Sequence, residues 1–243
     1  MAESPPNPYQ APFAHDPASS EGAGDFSIQR ALSDGWNATK NYFPLWLGVG
    51  IVGTLCAGAA AITVIGAILV VPVLVYGGIK FLLNMLDGRA QFNDLFSGFS
   101  NYGSVLGRML LLILLLALIG LASESVLLIG NFTDSGVLQL VGSLIYLGAT
   151  LFVILPLSFS TFFLVDQNMG ATEALGASWR IARGKLGKLL LLTLVEMLIG
   201  VLGVLALVVG VIFSMTIAYA MLASAYRQMV ASAPDAELSG AMS

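Results

Sequence analysis

Apolar residues fill four long runs along the chain, 43–86, 105–130, 137–165 and 186–226, divided by short polar stretches. A bilayer crossing takes ~20 predominantly apolar residues. As one helix, the run 43–86 would be ~66 Å long, about twice the ~30 Å hydrocarbon core. It is therefore predicted to turn back around Thr63–Gly66, and the run 186–226 near Gly203–Ala206. The polar stretch NFTDSG at 131–136 separates the middle two runs. The pattern predicts an all-α integral membrane protein with six transmembrane helices, at about 43–62, 66–86, 105–129, 137–165, 186–205 and 207–228. These pair as three hairpins, with Pro72 and Pro156 as kinks in the second and fourth spans. No run shows the ten-residue alternation of a membrane barrel.

A second pattern precedes each hairpin. In 28–43 the apolar or small positions Ile28, Ala31, Leu32, Gly35, Trp36, Thr39, Tyr42 and Phe43 recur at steps of three and four, one face of a helix. Arg30, Asp34, Asn37 and Lys40 occupy the other face. The phase returns at 171–186 with Ala171, Ala174, Leu175, Ser178, Trp179, Ala182 and Leu186, and Arg180 and Arg183 lie outside it. A looser copy at 91–106 aligns Phe92, Leu95, Phe96, Phe99, Tyr102 and Leu106. The expectation is a parallel internal repeat, each hairpin preceded by an interfacial amphipathic helix with its aromatic residues at headgroup depth. Trp36, Lys40, Trp179, Arg180, Arg183, Lys185 and Lys188 would form the lipid interface, with basic residues near anionic lipid contributing ~1 kcal/mol each.

Charge fixes the predicted orientation. All ten Lys and Arg flank the same ends of the spans: Arg30 and Lys40; Lys80, Arg89 and Arg108; Arg180, Arg183, Lys185 and Lys188; and Arg227. The positive-inside rule places that side, with both termini, in the cytoplasm, and the six-span layout reads as a bacterial inner-membrane protein. With 57% hydrophobic and 10% charged residues, the chain falls far below the ~25% charged residues of a soluble domain. Its net charge of −4 argues against nucleic acid as a partner. Residues 1–26, acidic and bearing five prolines, do not read as a signal peptide. They and 229–243 are predicted to be disordered tails, with NPYQAP a possible docking peptide.

Candidate chemistry is sparse. Cys56 is the only cysteine and His15 the only histidine, so neither a disulfide nor a histidine metal site can be assembled. No catalytic residues, metal ligands or cofactor are predicted. Glu196, near the middle of the fifth span, is the principal candidate binding residue. It would serve either as a proton or cation site or as a structural link, bonded to a hydroxyl such as Thr193 or to another subunit. Glu124 is a second candidate, and Asp134 lies in the outer turn. Two stripes of small residues, Gly50–Thr54–Gly58 and Thr216–Ala220–Ser224, suit close helix packing within the bundle or across a homo-oligomer face.

The segment DQNMGATEALGASWRIARGK (166–185), following the run that contains Pro156, resembles a feature of bacterial six-span proteins similar to the membrane domain of glycerophosphoryl diester phosphodiesterases. Asp166, Gly170, Glu173, Ala174, Leu175, Ser178 and Gly184 carry the likeness. It implies a helix-hairpin fold over roughly 27–228. No soluble stretch is long enough for the enzyme's catalytic barrel, so the likeness carries no activity with it. Two functional readings follow. One is a non-enzymatic accessory, scaffolding or membrane-organising component that binds other membrane proteins or lipid. The other is a small transporter or channel built around Glu196.

Overall fold

The computed structural model of the chain describes residues 26–132, 136–205 and 207–232. Among these, the secondary structure is entirely helical. Helix α1 spans Ile28–Ala61 and α2 Val64–Leu86; a 3₁₀ helix, Phe92–Asn101, leads into α3, Tyr102–Phe132. Helix α4, Gly136–Ala149, continues through a π-helical turn at Thr150–Ile154 into α5, Leu155–Leu157, and α6, Ser160–Asp166. Helix α7 covers Ala171–Ala182, α8 Leu186–Leu205 and α9 Leu207–Ala231. Five helical segments are long and apolar enough to cross a membrane: Ile28–Ala61, Val64–Leu86, Phe92–Leu121, Gln139–Asp166 and Ala171–Leu205.

Local chemistry sets the boundaries. Between α1 and α2 the chain reverses at Ile62 and Thr63, where Thr63 Oγ1 accepts from Gly66 N at 3.0 Å and caps the new helix. Helix α2 ends on Gly88 at φ 71°, with Gly88 N donating to Met85 O and Arg89 N to Asn84 O at 2.9 Å. This double bond pattern is a Schellman cap, for which glycine suits the left-handed position. Pro72 lies inside an unbroken α2. Pro156, in contrast, follows the π turn, and a two-residue interruption at Ser158–Phe159 separates α5 from α6. Ala206 and Asp134 fall outside the described residues.

The three amphipathic segments do not take a common form. The first is not a separate interfacial helix: 28–43 runs straight into the first apolar run through Pro44, giving one helix of 34 residues, ~51 Å long. A single proline removes one helical hydrogen bond, and the packing on either side holds the helix through it. Ala31, Gly35, Ala38 and Thr39 are buried where α1 lies along α9. The second is a 3₁₀ helix laid against α2. Its Phe92, Phe96, Phe99 and Tyr102 form a row with ring centroids 6.3, 6.3 and 5.9 Å apart, and Tyr102 donates to Leu69 O at 3.1 Å. The third, α7, is an α-helix that continues through a 3₁₀ turn at Arg183–Lys185 into α8, and its apolar face packs on α3, α5 and α6. Trp36 and Trp179 remain exposed at the margins of these contacts.

Burial is concentrated at the end of the bundle that carries the Lys and Arg residues. The buried residues of α2 lie within Pro72–Leu86; on α3 they are Val105, Met109 and Leu112; on α8, Leu189 and Leu192. Helix α9 is buried on nearly all sides from Ala220 to Val230. Toward the opposite end the helices turn large apolar side chains outward, including Leu114, Leu118, Leu140, Leu144, Met197 and Val201. Lipid can cover such residues at little cost, so only the basic end needs a protein core. That core reaches slightly beyond the predicted membrane domain. Phe26, assigned from sequence to the N-terminal tail, is 1% exposed, and Met229 and Val230, assigned to the C-terminal tail, are buried on α9.

Candidate functional site

Polar side chains collect at two depths. The larger group lies at the basic end, where α2, α6 and α9 finish. Arg227 Nη1 is 3.2 Å from Asp166, and its Nη2 is 3.0 Å from Asp87 Oδ2. Tyr226 donates to Asp166 Oδ2 at 3.0 Å, and Arg89 closes on Asp87 at 2.9 Å. The side chains of Arg227, Asp166 and Asp87 are only 12, 11 and 18% exposed. Tyr226 also stacks on Phe162 and meets Phe163 edge-on. One guanidinium fork thus holds two carboxylates from different helices, a geometry that lysine's point charge does not reproduce.

Two further ties brace this end. Asn168, at φ 56°, receives Arg108 Nη1 on both its carbonyl (2.8 Å) and its side-chain oxygen (2.6 Å). Asparagine is one of the few residues that enter this conformation readily. Ser224 donates to Asp34 Oδ2 at 2.7 Å, Gln228 donates to Ser224 Oγ, and Ser27 N donates to Gln228 Oε1 at 2.9 Å.

The segment 166–185 accounts for much of the bracing. Asp166 joins the arginine fork, and Glu173 Oε2 accepts from Gly170 N at 2.9 Å to cap α7. Ala174 is fully buried. Ser178 Oγ donates to Pro156 O at 2.6 Å, binding α7 to the interruption in the fourth apolar run. Ser178→Ala is expected to leave that buried carbonyl unpaired and to lower stability by about 1–3 kcal/mol. Thermal unfolding in detergent measures this, and an unchanged midpoint would show the bond to be dispensable.

At the second depth is Glu196. Leu189, Leu192, Glu196, Ile199 and Gly203 follow one another at steps of three and four and share a face of α8. Leu189, Leu192 and Gly203 are buried and Ile199 packs on the core. Leu194, Met197, Leu198, Val201 and Leu202 point outward. Glu196 is therefore on the inward face of α8. Its Oε1 is buried and accepts no hydrogen bond. The expected bond to Thr193 is not formed, because the Thr193 hydroxyl donates to Leu189 O at 3.1 Å, back along its own helix. Glu124 is exposed on α3.

The two small-residue stripes have opposite fates. Thr216, Ala220 and Ser224 are buried, and α1 comes so close that a Cβ at Gly35 would lie 2.9 Å from Met221 Cγ. Gly50, Thr54 and Gly58 are exposed, with open space around both glycines. This corrects their assignment to packing within the bundle: Val49, Val52, Gly53 and Cys56 occupy the inward side of α1 there. Of the predicted interfacial residues, Lys40 and Arg183 are exposed, and Arg180, Lys185 and Lys188 are partly buried. Lys188 Nζ reaches Phe26 O at 3.4 Å.

Comparison of the chain with protein-family models, with curated proteins and with solved structures finds no match.

Proposed function

We propose that this chain is a non-enzymatic, multi-pass membrane component that binds other membrane proteins or lipid and acts as an accessory or scaffold. The observation supporting this reading is the split character of the bundle. One end is locked by a buried core and an arginine–carboxylate network, while the other offers broad apolar helix flanks, such as Met197, Val201 and Val204 on α8. Trp36 and Trp179, exposed at 49 and 36%, are suited to the headgroup layer. Purification from native membranes in mild detergent, followed by native mass spectrometry, tests the proposal. A stoichiometric protein or a defined lipid is the expected companion, and a particle carrying neither would overturn it.

The accompanying topology is six spans, both termini cytoplasmic, in a bacterial inner membrane. In a Cys56→Ser background, an impermeant thiol reagent added to intact cells is expected to label Ile62→Cys, at the tip of the first hairpin, and to spare Ser19→Cys. The reverse pattern would invert the orientation.

A second reading, a small transporter or channel, is favoured by one observation, the inward placement of Glu196. It predicts a solute or ion flux into vesicles that Glu196→Gln abolishes.

A further inference from the structure

Three features lie on α8 and on the segment packed against it. The first is Glu196 itself, with Oε1 buried and accepting no hydrogen bond. The second is Thr150, whose hydroxyl is likewise buried and without a hydrogen-bond partner. A threonine in a helix ordinarily turns its hydroxyl onto a carbonyl of the preceding turn, as Thr193 and Thr216 do here. The third is the backbone at Thr150–Ile154, wound as a π turn in which Leu155 N reaches back to Thr150 O. Pro156 has no N–H, so it leaves a carbonyl in that turn without its helical donor.

These features lie on elements that touch. Both the π turn and α5 pack against α8. The chain runs in opposite directions in the two segments. Leu155–Leu157 lies nearer the basic end than Thr150, as the start of α8 lies nearer it than Glu196. A carboxylate, a hydroxyl and a released carbonyl are thus carried by two packed segments of the bundle, Thr150–Ile154 and α8. All three are oxygen donors, and only one is charged.

We propose that Glu196, Thr150 and the π turn before Pro156 form a binding site for an alkali cation. Hard cations take oxygen ligands. A single carboxylate balances one positive charge, whereas divalent ions of this class favour more carboxylate or several retained waters. Burying the pair together relieves the cost of an isolated charge in the apolar interior. Short π segments recur at functional sites because they release backbone groups from the helix. The site requires no particular partner, so it stands apart from the accessory reading and can be tested on the purified chain.

The test follows thermal unfolding of the full chain in mild detergent by tryptophan fluorescence. Sodium or potassium chloride is titrated against choline chloride at constant ionic strength and fixed pH. The expected result is a saturable rise in unfolding temperature with at least one alkali cation and none with choline. Glu196→Gln, which keeps the side chain's shape, abolishes the rise. Thr150→Val raises the half-saturating concentration by about tenfold, the scale of one lost ligand bond, and Thr150→Ser preserves it. A wild-type protein indifferent to sodium, potassium and choline would overturn the proposal. So would a folded Glu196→Gln protein with an undiminished response. Retention of the full response in Thr150→Val would exclude the π turn from the site.

Discussion

Replacing Arg227 by alanine is expected to cost about 3–5 kcal/mol, the usual consequence of removing one member of a buried ion pair. The variant leaves Asp87 and Asp166, both largely buried and from different helices, facing each other without the fork that joins them. Thermal unfolding in detergent should show a large fall in midpoint. Limited proteolysis should show the turn at 87–91 and the α6–α7 connection becoming accessible together. Arg227→Lys should recover only part of the loss, since an ammonium on a flexible stem cannot repeat the two-nitrogen bridge. If the alanine variant unfolds with the wild type, the network is ornamental and the basic end is held by packing alone.

A methyl group at position 77 should be nearly as damaging. The Cβ of an alanine at Gly77 would overlap the backbone carbonyl of Leu95, so α2 and the 3₁₀ helix touch main chain to main chain. Because the obstacle is backbone, Gly77→Ala is expected at the upper end of the ~1–3 kcal/mol typical of overpacking. It should also loosen the aromatic row from Phe92 to Tyr102. The neighbouring Gly78 has open space around it and serves as the control: Gly78→Ala should be neutral or stabilising by up to ~1 kcal/mol, as alanine replaces glycine in a helix. Equal effects at the two positions would argue that helix propensity, not contact, governs this segment.

The long apolar runs made the helical, membrane-spanning character legible, because segments of that length and hydrophobicity have few other uses. Depth along the membrane was partly legible as well, since the Lys and Arg residues mark the end at which the core proved to lie. Inside versus outside was not. In a membrane helix both faces are apolar, so the four-residue spacing of Gly50–Thr54–Gly58 looks the same as that of Thr216–Ala220–Ser224, although only the second is buried. The Asp87–Arg227–Asp166 network joins residues 140 and 61 positions apart, beyond the reach of periodicity. Its available signal was that all three charges fall at the basic ends of helices in a chain poor in charge. The π turn had a weaker one, Pro156, which announced an irregularity but not which polar group it would release.

The pairing of α1 with α9 has a consequence for how the protein is made. The small-residue face of α1 that receives α9 leaves the ribosome first, yet Asp34 waits for a hydroxyl 190 residues further along the chain. At ~5–20 residues per second, that interval is roughly 10–40 s. During it the first hairpin is in the bilayer without its principal neighbour, and any chain cut short before α9 keeps a bare Ala31–Gly35–Ala38 groove. Full-length synthesis is thereby registered in the fold itself, at the seam between its first and last helices.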